Sequence, residues 1–160
     1  MALHNKTATE VILSTWNRLN SLPGGTWIFN QFLRRFNPYS GSIHPRVTEL
    51  RAGYARIELQ DRRRVRNHLN SIHALALANL GELTSGLALL SGLPGNYRGI
   101  PTKITTEYFK KARGKLVAES KSGLPSVNKS MDYNVSADIV DEHGDVVART
   151  NVTWRLGLTE

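Results

Sequence analysis

Between Ser71 and Leu93 the chain carries a single acid, Glu82, in a run otherwise built mostly of Ala, Leu, Gly and small polar residues. A helix that is apolar on nearly every side must be enclosed by the rest of the fold. A lone carboxylate carried into such a setting costs free energy. It is therefore either matched by a partner, as in a structural pair with an arginine, or kept because its altered proton affinity does chemistry. This makes Glu82 the first candidate functional residue. A run of about twenty weakly polar residues is long enough to cross a bilayer. Its composition argues against a span, because His73, Asn79, Thr84, Ser85 and Ser91 are scattered through it. A mid-membrane carboxylate would add a penalty of roughly 2.5 to 3.5 kcal/mol.

A chain of 160 residues suits one domain with a proper core. The expected division is 1–160 as a single unit, with 1–42 a helical flank and 43–160 the core. The absence of cysteine removes disulfides and thiolate metal sites. His4, His44 and His143 have no ligand spacing, so no metal is expected. Met1–Lys6 leads into polar residues, unlike an apolar signal segment, and a cytoplasmic protein is expected. The net charge of +8, dense at Arg62, Arg63, Arg64 and Arg66 and again at Lys110, Lys111 and Arg113, points to a polyanionic partner. Charge alone does not choose between nucleic acid, anionic lipid, a phosphate-bearing molecule and a solvated basic loop.

Thr9 to Leu22 has apolar residues at helical spacing and is ended by Pro23-Gly24-Gly25. In a second helix Trp27, Ile28, Phe32, Leu33 and Phe36 form the apolar side and Arg34 and Arg35 face away, with Asn37-Pro38-Tyr39-Ser40-Gly41 as the stop. The period then changes to two. Val47 and Leu50, a turn at Ala52-Gly53, and Ala55, Ile57 and Leu59 predict a hairpin before the central helix. After that helix come Ile104, Thr106 and Tyr108, then a strand through Val117. Tyr133, Val135, Ala137 and Ile139 alternate with Asp132, Asn134, Ser136 and Asp138, and a long strand from Val146 to Leu158 closes the chain. The order predicts an α+β fold, an antiparallel sheet of about six strands curled around a long central helix with N-terminal flanking helices. Its exposed edge or face can be covered by dimerisation.

The segment Asn67-His68-Leu69-Asn70-Ser71-Ile72-His73-Ala74, followed by Glu82, resembles the hotdog-fold thioesterases, particularly the bacterial group related to phenylacetyl-CoA-type enzymes. That group has a polar Asn or His before the central helix, a His-Gly-Gly-like helix start and an acid about two turns in. Here Ala74-Leu75 replaces Gly-Gly, and the common Asp is Glu82. The resemblance covers about residues 43 to 158. It implies a hotdog fold and an acyl-CoA or acyl-carrier thioester as substrate. It also implies a homodimer or dimer of dimers, with coenzyme A present as part of the substrate and no other cofactor.

On that reading Glu82 is general base or nucleophile. Ser71 is expected to cap the helix, leaving the amides near His73 and Ala74 to meet an oxyanion. Asn67 would donate or orient water, and Thr84, within one turn of Glu82, could hydrogen-bond water or substrate, although helix threonines more often satisfy their own backbone. Arg62, Arg63, Arg64 and Arg66 would stand at the mouth and hold phosphates. Nine residues separate His73 from Glu82, about 13.5 Å and 180° on a helix. If both serve one site, the acid of one subunit must meet the helix start of another. A hotdog dehydratase or hydratase, and a non-catalytic module binding acyl-CoA or nucleic acid, are the alternatives. Nucleic acid is disfavoured because RNA-platform aromatics are missing from alternating strand positions.

Overall fold

The computed structural model describes residues 7–127 and 129–158. Met1–Lys6, and with them His4 and the reading of the N-terminal segment, lie outside the described residues. Among the described residues four helices and six strands follow the expected order, with α3 added: α1 (Ala8–Leu19), α2 (Gly25–Phe36), α3 (Pro38–Gly41), β1 (Arg46–Arg51), β2 (Tyr54–Leu59), α4 (Ala74–Leu90), β3 (Tyr97–Tyr108), β4 (Leu116–Lys121), β5 (Met131–Val140) and β6 (Val146–Leu158). All neighbouring strands run antiparallel in the order β1-β2-β4-β5-β6-β3.

The apolar run becomes α4, which packs against all six strands. The sheet therefore wraps the helix, in the hotdog arrangement. Close contact needs a small residue at the crossing, and Gly81 supplies it: a Cβ there would lie 2.2 Å from Thr150 Oγ1. The alternation in β5 and β6 appears as predicted, with Val135, Ala137 and Ile139 and then Thr150, Val152, Trp154 and Leu156 buried. Their outer faces carry cross-strand ion pairs, Asp132 with Arg155 and Asp138 with Arg149.

The helical flank is built into the core. Thr7 and Glu10 form a reciprocal capping box that starts α1. Trp16 meets Phe29 edge-on at 4.9 Å, and both belong to the same buried cluster as Val47, Leu80 and Ile139. The face of α2 differs from the expected one. Phe29, Asn30 and Leu33 are buried, while Trp27 is 67% exposed and Arg34 is partly buried. The reason is Asn30, whose side chain accepts from the Val47 amide (2.7 Å) and donates to the Val47 carbonyl (3.1 Å). These bonds turn that side of α2 onto the edge strand β1. The segment read as a stop, Asn37 to Gly41, is the one-turn helix α3, with the Asn37 side chain accepting from the Ser40 amide.

Candidate active site

The start of α4 differs from the expected cap. His73, not Ser71, is the N-cap, and its Nδ1 accepts from the Leu75 amide at 3.1 Å. Ser71 lies inside the preceding loop, where its amide and hydroxyl both donate to Asn67 Oδ1 at 3.2 Å. Asn67 Oδ1 also accepts from the Leu69 amide at 2.9 Å, so this oxygen is committed to shaping the loop. The Ala74 carbonyl accepts from the Tyr108 hydroxyl at 3.0 Å, which ties the helix start to the end of β3. Ala74 itself is exposed, with its amide in the first turn of α4. That position carries the positive end of the helix dipole.

Three depressions share walls along α4. The first, about 490 Å³, is bordered by Arg64, Arg66, His73, Leu75, Asn79 and Tyr39. The second, about 410 Å³, keeps Tyr39, Leu75 and Asn79 and adds Asn37, Glu82 and Ile104. A third, about 300 Å³, keeps Asn37 and Glu82 and runs on to Leu33, Leu87, Leu90 and Trp154. Their shared residues make them one groove, basic at one end and apolar at the other, with Glu82 between. Leu75, Asn79 and Glu82 fall at i, i+4 and i+7, one face of a helix.

Glu82 is partly buried, and among the described residues its carboxylate has neither an ion pair nor a hydrogen bond. Burial alone pushes its proton affinity above the usual carboxylate range. Among the described residues no arginine holds it. His73 borders the first depression and Glu82 the second and third, so the two are separated along α4. With a ψ of 140°, His73 itself lies just outside the helix.

The other candidates separate. Thr84 is sealed in the core, its hydroxyl donating to the Leu80 carbonyl at 2.6 Å, and it does not border the groove. Arg62 donates to the Ile43 carbonyl at 2.6 Å, and burial, together with Arg34 and Arg64 nearby, lowers its proton affinity. Arg63 is exposed on a short 3₁₀ turn. Arg66 is paired with Asp61 at 2.6 Å. Arg64 borders the mouth with no carboxylate partner among the described residues.

Asn37, Tyr39 and Asn79 border the groove without having been singled out from sequence. For Asn79 a signal existed, its place three residues before Glu82 in an apolar helix. Tyr39 and Asn37 gave only a turn signature. Among the described residues no helix is long and apolar enough to cross a membrane, and no three His, Asp or Glu side chains gather to hold a metal.

The family described as "Domain of unknown function (DUF4442)" matches residues 25–156. No curated protein matches the chain. Among solved structures, one from a genomics programme, with no stated function, is 28% identical at a TM-score of 0.82 over 93% of this chain and 99% of its own. A Pseudomonas aeruginosa protein of unknown function, described as a probable thioesterase, is 22% identical at 0.74 over 86% of this chain and 97% of its own. A thioesterase from Haemophilus influenzae is 14% identical at 0.70, covering 83% of this chain and 90% of that one. The last two identities establish a shared fold.

Proposed function

We propose, on the premise that the chain belongs to the DUF4442 family and has the hotdog fold of thioesterases, that it hydrolyses acyl-CoA thioesters with Glu82 as general base. The observation that carries this is the unpartnered, partly buried Glu82 carboxylate midway along a groove that is basic at one end and apolar at the other. A phosphate-bearing thiol fits the Arg64 end, and an acyl group fits the apolar end. The thioester carbonyl then sits beside Glu82.

In this reading the carboxylate takes a proton from water as its oxygen bonds to the carbonyl carbon. The C–S bond then breaks, and the proton passes to the departing thiolate. A base works best with a proton affinity lifted toward the working pH, as burial does for Glu82. Asn79, one turn away and donating weakly to the Tyr39 carbonyl at 3.4 Å, is placed to orient that water. The developing oxyanion needs an N–H donor. The exposed Ala74 amide of a second copy supplies it, because the Ala74 of the same protomer is two turns of helix away. The open inner face of β3, where Ile104 and Tyr108 are each 47% exposed, is the surface for that second copy.

Release of free thiol from a panel of acyl-CoAs tests the reading. Turnover is expected, and E82Q should lose about 10²- to 10⁴-fold in kcat. A folded E82Q with full activity would overturn it. Gain or loss of enoyl absorbance in place of thiol release would indicate a dehydratase or hydratase, and binding without turnover a non-catalytic module.

A further inference from the structure

From Glu82 toward α1 the groove is bordered by no other ionisable side chain among the described residues. Its deeper part is formed by Leu33, Leu83, Leu87, Leu90, Ile12 and Trp154, and the polar Asn37 stands at its entrance beside Glu82. A further apolar recess of about 70 Å³ shares Ile12, Leu87 and Leu90 and ends against Leu13 and Leu50. The wall residues on α4 recur at 82, 83, 86, 87 and 90, so this cavity is elongated along the helix axis.

α1 contributes Ala8 and Ile12 to this cavity, where it meets Leu87 and Leu90. Its first turn is fixed twice: by the Thr7 and Glu10 capping box, and by Glu10 lying over Gly95 in the turn after α4, where a Cβ would meet Glu10 Oε1 at 1.9 Å. Its second half is held by buried Trp16 against Phe29. A helix anchored on both sides of Ile12 holds that side chain in place across the cavity from Leu87 and Leu90. From Glu82 to Leu90 is eight residues, about 12 Å along the axis.

We propose that α1 makes this cavity a ruler for the acyl group: it takes an extended aliphatic chain of roughly eight to ten carbons, with Ile12 and Leu90 at its limit. The inference rests on the placement of the thioester at Glu82. Each methylene buried adds about fourfold to kcat/KM, from a transfer free energy of about 0.8 kcal/mol. Specificity should therefore climb steeply with chain length and stop climbing where the cavity ends.

The test is kcat/KM for acyl-CoAs from acetyl to palmitoyl, with phenylacetyl-CoA included, on the parent chain and on Ile12→Trp and Leu90→Ala. The parent should rise about fourfold per methylene to octanoyl or decanoyl and then level or fall. Ile12→Trp should lower the decanoyl-to-butyryl ratio at least tenfold, and Leu90→Ala should move the optimum to longer chains. A flat length profile, a preference for phenylacetyl over octanoyl, or an unshifted optimum in both folded variants overturns the ruler. If no thioester is turned over, the hydrolase reading fails by itself. Calorimetric Kd values for the same series then read the ruler by the same criteria.

Discussion

Glu82 combines two properties that oppose one another: the proposed function makes it the base, and among the described residues its charge is uncompensated. At acidic pH, below the ordinary carboxylate range, the group is protonated in folded and unfolded chains alike and carries no penalty. As pH rises through its elevated proton affinity, the folded chain must hold an unpartnered buried charge, and stability falls. E82Q should therefore melt higher than the parent near pH 8 and match it near pH 4, as scanning calorimetry at both pH values would show. Activity should rise with pH along a limb displaced above the usual carboxylate range. Asn67 behaves differently. Its side-chain oxygen accepts three hydrogen bonds within the loop, so Asn67→Ala should cost about 1 to 3 kcal/mol in urea unfolding. Glu82 was legible in the sequence because one charge in an apolar run has few explanations. The tasks of Asn67, Ser71 and His73 were not, because hydrogen bonds among close neighbours in a loop depend on its turn geometry, where Asn70 adopts a φ of +53°. A list of polar residue types does not contain that geometry.

Among the elements, those with a strict period were the most readable. The alternation in β5 and β6 forecasts burial over Val135–Ile139 and Thr150–Leu156, since one face of each strand meets α4 and the other carries the Asp132–Arg155 and Asp138–Arg149 pairs. At the ends of β6, however, the out-of-phase Val147 is buried and Leu158 is half-exposed. The face of α2 was not readable, because it is set by a polar residue. Asn30 is buried, and it satisfies both backbone groups of Val47 on the sheet edge much as another strand would. Asn30→Ala should thus cost about 1 to 3 kcal/mol, and amide exchange should quicken at Val47 ahead of the central strands. The crossing of α4 over β6 permits a companion test. Gly81→Ala drives a methyl group into Thr150 and should destabilise by about 1 to 3 kcal/mol, with a lower Tm as the measure.

The whole molecule supplies what no single element does, a groove whose walls come from α1, α2, α3, α4 and β3 and whose ends differ in polarity. The sequence indicated a basic mouth and an apolar interior, but not that one protomer lines both, nor that Arg64 faces the mouth while Arg62 is spent on Ile43. Those facts depend on packing between segments far apart in the chain. Ile104 and Tyr108, half-exposed on the last strand of the sheet, are the surface on which the proposed composite site would seat a second copy. Sedimentation should accordingly find a dimer, and Ile104→Lys should shift it toward monomer with loss of turnover. The most direct measurement is the initial rate of thiol release from octanoyl-CoA as a function of pH for the parent and for E82Q. The account predicts a rate that climbs with pH in the parent and is lost by a factor of at least about 100 in a folded E82Q. Equal rates and superimposable pH profiles in the two proteins would contradict it.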